Sequence, residues 1–155
     1  ARPFDYQPAF YYAFHQLHFK GDAVGASAWL REAAEKLPSD EERLIMQNFA
    51  ARWIDRAGDV DLAIRVVEAM ARQAKRKDFR AYLELRVARL KSLKDLRAAA
   101  ASYGQRFGRA PLQLQELVDA GLMPAIPADP FGFGFEFDKQ GQIILRATPP
   151  RPAPK

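Results

Sequence analysis

The chain contains no cysteine. Disulfides, thiolate metal sites, cysteine nucleophiles, covalent haem attachment and lipidation at Cys are therefore excluded from these 155 residues. The redox compartment stays open. Histidine is almost as scarce, with only His15 and His18. No apolar run approaches the ~18–20 residues needed to cross a bilayer, and no signal peptide is recognisable. Residue 1 is Ala rather than Met, so the chain reads as a processed or truncated product, with any membrane anchor upstream of it. Catalytic patterns are missing too: there is no Gly-x-Ser-x-Gly, no Walker loop and no His/Asp/Ser arrangement. Gly132-Phe-Gly134 is a fragment that follows no parallel strand. Neither an enzyme activity nor a cofactor is expected, and no small-molecule substrate.

What is present is ordinary in bulk and uneven in detail. The 48% hydrophobic content is enough for a core, and 28% charged is usual for a soluble chain. The length allows one domain, or one domain and an appendage. Residues 1–71 carry a net −3, residues 72–97 a net +7 and residues 98–155 a net +1. The excess sits on Arg72, Lys75, Arg76, Lys77, Arg80, Arg86, Arg89, Lys91, Lys94 and Arg97. Within it Arg76, Lys77, Arg80, Lys91 and Lys94 form a candidate surface for nucleic acid or an anionic membrane. At ~100° per residue Arg80, Lys91 and Lys94 share one side of a helix, while Arg86, Arg89 and Arg97 fall off it. The plainer reading of such a run is a solvated helix face.

Hydrophobic spacing and punctuation predict helices from the start of the chain. Pro8 suits a first helical turn, and Phe10, Phe14 and Leu17 recur on one face. Gly21 closes this helix and Asp22 caps the next. Trp29, Leu30, Ala33 and Leu37 form the second helix's buried side, and Pro38 stops it. Ser39 and Glu42 make a capping box for a third helix with Ile45, Phe49, Trp53 and Ile54 as its apolar face. Asp59 caps a fourth helix. Asp78 caps a long fifth, with a break expected near Ser92. Pro111 opens a short helix closed by Gly121. Residues 133–137 and 142–145 flank Asp138–Gly141 as a β-hairpin, and the prolines of residues 148–155 mark a disordered tail. The expected fold is mainly α, stacked antiparallel helix pairs with a small C-terminal β-hairpin. The expected divisions are 1–103, 104–147 and 148–155.

Gly21-Asp22 and Gly58-Asp59 lie 37 residues apart, each between two amphipathic helices. Counting from Gly21, Ala26 falls at +5, Leu30 at +9, Ala33 at +12 and Pro38 at +17. This resembles the tetratricopeptide repeat over residues 7–75, with Phe10 at the family's large aromatic position. In the second unit Gly58, Ala63 and Val67 fit, while Met70 and Lys75 depart from the pattern. Separately, Phe107-Gly-Arg-Ala-Pro111, Leu114, Leu117, Gly121-Leu-Met-Pro124, Pro127 and Asp129-Pro-Phe-Gly132 resemble the segment after the long helix of type II secretion pseudopilins and some pilins. The pilin's hydrophobic N-terminal helix is absent from the chain. The order is similar to that of bacterial envelope proteins in which repeat helices precede this segment.

The repeat resemblance implies a groove lined by the first helix of each pair. The row is Tyr11, His15 and His18 in the first unit, and Asn48, Arg52 and Asp55 in the second. Such residues grip an extended peptide: Asn bonds its backbone and Arg pairs with a carboxylate. At i, i+3, His15 and His18 have chelating spacing but no obvious third ligand, so no metal is expected. Asp129 and Asp138 are hard-oxygen candidates for Ca²⁺ that would need several more donors. Together these readings imply a non-enzymatic protein-interaction scaffold. The resemblance places it as an accessory subunit of a bacterial cell-envelope, pilus- or secretion-linked assembly, with a protein partner or a second copy on the apolar surface of residues 1–19, where Phe4, Tyr6 and Tyr12 are expected to be exposed.

Overall fold

Turn and cap chemistry divides the first half of the chain into four helices. The structure is a computed structural model that describes residues 7–150. Phe4 and Tyr6, part of the expected apolar surface, lie outside the described residues, as do residues 151–155 of the expected tail. The described residues are mainly helical, with packed helix pairs and one two-stranded antiparallel sheet. They fall into two compact units that divide between residues 73 and 74.

In the first unit α1 (Gln7–Lys20), α2 (Ala23–Glu35), α3 (Asp40–Ile54) and α4 (Val60–Gln73) follow one another through short turns. The amide of Gly25 donates to Asp22 Oδ1 at 2.7 Å, and that of Leu62 to Asp59 Oδ1 at 2.9 Å. Ser39 Oγ accepts from the Glu42 amide. Each cap satisfies a backbone donor that the first helical turn leaves open. The α2–α3 contact is built on small residues. Ala26, Leu30 and Ala34 of α2, and Met46, Ala50, Ala51 and Ile54 of α3, are all buried. Ser27 Oγ donates across this contact to the Ala50 carbonyl at 2.9 Å, which only backbones in close approach permit.

Two expected core residues are elsewhere. Trp29 is 42% exposed and Ile45 is 45% exposed. The contact stripe of α2 runs through Ala26, Ser27, Leu30 and Ala34, which leaves Trp29 on the helix's flank against Tyr12, at 4.6 Å between rings. On α3 the buried stripe is Met46, Ala50 and Ile54, and Ile45 lies well off it at ~100° per residue.

The second unit is organised by α5 (Lys77–Phe107), 31 residues without a break at Ser92. Ser92 stays within the helix, between the buried Leu90 and Leu93. Arg76 rather than Asp78 occupies the cap position, and Asp78 accepts instead from the Phe79 amide and the Arg76 guanidinium. This ion pair holds the Asp78 carboxyl below its ordinary range. Short α6 (Gln115–Asp119) and the hairpin β1 (Phe135–Phe137) and β2 (Ile143–Leu145) follow. Phe135 pairs with Leu145, Glu136 with Ile144 and Phe137 with Ile143. Strand β2 packs on α5.

The chain therefore divides between residues 73 and 74, not between residues 103 and 104. The reason is the long helix, whose side chains pin the C-terminal segment. Arg89 Nε lies 2.9 Å from Asp129 Oδ2, with the two side chains 5% and 1% exposed. Arg89 also donates to the Arg146 carbonyl at 2.7 Å and lies over the rings of Phe131 and Phe133. Asp129 in turn accepts the amides of Phe131, Phe133 and Gly134. Gly132 and Gly134 have φ of +72° and +81°, left-handed values that let the loop curl its amides toward one carboxylate. Arg86 is buried, donates to Tyr82 Oη and lies over Phe131. Arg97 Nε donates to the Ile143 carbonyl at 2.8 Å. So three cations of the basic stretch, the ones off the candidate surface, fasten the second unit: Arg86 and Arg89 are buried and Arg97 is half-buried.

Removing one partner of a buried ion pair leaves the other charge uncompensated. Asp129→Ala is therefore expected to destabilise the protein by about 3–5 kcal/mol in urea unfolding. In the Asp129→Ala background, Arg89→Met should cost far less than it does alone. Additive losses would show that the pair is not coupled.

Glu116 provides a second fastener. Its carboxylate accepts from Arg109 and from the amides of Gln113 and Leu112 before α6, and from Tyr103 Oη. Arg109 is the leading cause, with the two amides and Tyr103 adding to it, of a carboxyl pKa lowered to about 2. A depressed carboxyl stabilises above its unfolded pKa and loses that contribution as pH falls through the folded value. Thermal melts from pH ~4.5 down to ~2 should fall more steeply for the parent than for Glu116→Gln. Parallel curves would rule out this role.

Candidate functional site

Helix α1 carries Phe10, Tyr11, Tyr12, Phe14, His15, His18 and Phe19 in 14 residues. A helix packed against its neighbours covers only part of its circumference. Ala13 and Leu17 take the buried side. Phe10 faces α3, with its ring 5.0 Å from Phe49 and 5.5 Å from Trp53. Tyr12 faces α2 through Trp29. The remaining rings point outward: Tyr11 is 68% exposed and Phe19 74%. His15 stacks on Phe19 at 4.9 Å, and His18 packs on Phe14 at 4.1 Å. The outer surface of α1 is thus a continuous aromatic and imidazole face.

The expected groove row divides between two environments. Tyr11, His15 and His18 are all exposed on α1. On α3, Arg52 is exposed, while Asn48 and Asp55 are half-buried. The direct contact between α1 and α3 runs through other rows, Phe10 and Phe14 against Phe49 and Trp53. Asn48 is adjacent to Phe49 in sequence and so is turned roughly 100° from it. Its Oδ1 is buried and accepts no hydrogen bond among the described residues. A buried acceptor without a donor costs free energy, which an incoming N–H would relieve.

Tyr12 and Phe19 belong to the apolar surface expected over residues 1–19, whereas Phe14 and Trp29, expected on packed faces, are surface residues that sequence reasoning missed. The signal was present: aromatic residues occur at too many angular positions of α1 for two neighbouring helices to cover. His15 and His18 stack on different rings, and among the described residues no three or more His, Asp or Glu side chains converge as for a metal ion. Asp129 is occupied by a guanidinium and three amides, and Asp138 accepts the amides of Gln140 and Gln142, donor-rich surroundings opposite to what a cation requires. Among the candidate polyanion residues, Arg76 pairs with Asp78 and Arg80 donates to the Ala74 carbonyl. Lys77, Lys91 and Lys94 are exposed on α5.

No described helix is long and apolar enough to cross a membrane. No protein-family model, curated protein or solved structure matches the chain.

The geometry separates surface rings from structural ones. Tyr11→Ala and Phe19→Ala should each change stability by less than about 0.5 kcal/mol. Phe10→Ala, which empties the ring cluster with Phe49 and Trp53, should cost more than about 1 kcal/mol. Chemical denaturation of the three variants checks the contrast, and equal losses would show that the outer rings are structural as well.

Proposed function

We propose that the chain is a non-enzymatic protein-interaction scaffold whose first unit receives a partner along α1. The observation that carries this reading is the outer face of α1, where Tyr11 and Phe19 are mostly exposed yet held in ring contacts. Large exposed apolar patches on a folded unit mark interaction sites. Aromatic side chains contribute much contact area at low entropic cost, which is why they dominate binding hot spots. Asn48 adds a buried acceptor that an incoming donor would satisfy. A tetratricopeptide-like mode of binding, with Tyr11, His15, His18, Asn48, Arg52 and Asp55 meeting an extended segment, is the finer form of this proposal.

The C-terminal unit is assigned a different task. Its Asp129-Pro-Phe-Gly132 loop is built on one buried ion pair, and this supports reading it as a rigid accessory module. Placement in a bacterial envelope, pilus- or secretion-linked assembly rests on the pseudopilin-like order of residues 107–132 alone. Affinity purification of a tagged chain from the native host, read by mass spectrometry, should recover a stoichiometric protein partner, whether another protein or an untagged copy of this chain. Tyr11→Ala/Phe19→Ala should lose it while retaining the parent's circular dichroism. Recovery of no protein, or of the same protein by the variant, would defeat the reading.

A further inference from the structure

We infer that the outer face of α1 is an isologous interface that takes a second copy of this chain. The inference rests on the reading of α1 as a docking face and names its occupant. Three features point to self-association rather than to a charged or extended partner.

The first is area. Tyr11, Tyr12, Phe14, Phe19 and Trp29 are 40–74% exposed. Aromatic side chains present ~200 Å² each, so these five leave on the order of 550 Å² of ring surface uncovered. The smallest stable protein interfaces bury about 600 Å² per partner, and the exposed rings of His15 and His18 supply the difference.

The second is charge. Helix α1 contains no Asp or Glu, and Lys20 at its C-terminal end is its one lysine or arginine. A helix without carboxylates gives no ion pair to a basic segment, and a single terminal lysine gives little to an acidic one. Two copies of the face, in contrast, place no like-charged pair at the centre. In an antiparallel pairing about His15 the two Lys20 residues are separated by ten helical rises, about 15 Å, beyond the Debye length at physiological salt.

The third is symmetry. Tyr11, His15 and Phe19 recur at i, i+4 and i+8, which is one ridge of the helix. A twofold axis at His15 sets each Tyr11 against the other copy's Phe19, and each His15 against its equivalent. This is the reciprocal pattern an isologous contact requires. The phenolic hydroxyl of Tyr11 stays at the rim, where water satisfies it, and the two His15 imidazoles that meet at the axis can share one N–H···N hydrogen bond.

The absence of cysteine makes the test clean. Sedimentation velocity of the full chain across micromolar concentrations should show a reversible dimer. Its Kd should change little between low and high salt, because no ion pair is involved. Tyr11→Ser/Phe19→Ser should raise that Kd by about thirtyfold or more, as for loss of a central hot spot, with circular dichroism unchanged. His15→Cys should form an intermolecular disulfide under mild oxidation, while Arg65→Cys, exposed on α4, should not. A monomer at all concentrations overturns the inference, and if the partner of the preceding section is still lost on Tyr11/Phe19 substitution, the docking reading survives it. A dimer indifferent to the double variant, or one that His15→Cys fails to cross-link, also overturns it.

Discussion

The second unit depends on one arginine being removed from water. Arg89 loses its hydration only because Asp129, two carbonyls and two aromatic rings replace it. The exchange is reciprocal. Asp129 needs the arginine, and it also needs the amides of Phe131, Phe133 and Gly134. Those amides converge only if the chain bends sharply, hence Gly132 and Gly134 in left-handed conformation just after it. Strands of three residues cannot hold a hairpin together alone. Arg89, through the Gly134 carbonyl just before β1 and the Arg146 carbonyl just after β2, and Arg97, through the Ile143 carbonyl, tie this hairpin to α5. Desolvation makes such an arrangement costly unless complete, so it specifies one loop geometry more than it adds stability.

That constraint explains why the basic stretch misleads when read as a string. Arg89 and Asp129 are 40 residues apart, and Arg97 and Ile143 are 46. Local charge counting cannot detect partners at such separations, so a net +7 looks like a surface. Helical angle gave the better clue, because Arg86, Arg89 and Arg97 lay off the side shared by Arg80, Lys91 and Lys94. The cations off the stripe are the ones directed into the C-terminal unit, and those on it face solvent.

Local signals were legible where the chemistry is local. Asp22, Ser39 and Asp59 cap the helices they precede, and the Asp138–Gly141 turn joins the expected strands. The mainly helical class with one small hairpin follows from spacing alone. Legibility failed where tertiary choice decides between adjacent residues. Trp29 and Leu30 are both apolar, but the close α2–α3 approach set by Ala26, Ser27 and Ala50 selects Leu30 for the interior. The same competition placed Ile45 outside and Met46 inside. Asp78 looked like a cap, but α5 begins one residue earlier, at Lys77, so Asp78 lies inside the first turn and its carboxylate meets Arg76 and the Phe79 amide.

The two units thus solve opposite problems with the same residue types. In the second, the guanidiniums of Arg86 and Arg89 are enclosed, and Arg89 meets its carboxylate, carbonyl and ring partners inside the unit. In the first, α1 carries more rings than α2 and α3 cover among the described residues, and Tyr11 and Phe19 stay mostly exposed. A helix selected only for stability would place polar side chains there. Retaining Tyr11, His15 and Phe19 sacrifices solubility for contact area, and that trade is favourable only when another surface completes the face. The excess of aromatic surface on α1 is therefore what supports a docking role, whereas Arg86 and Arg89, buried, and Arg97, half-buried and bonded to the Ile143 carbonyl, are three of the ten cations of residues 72–97 that are used inside the second unit.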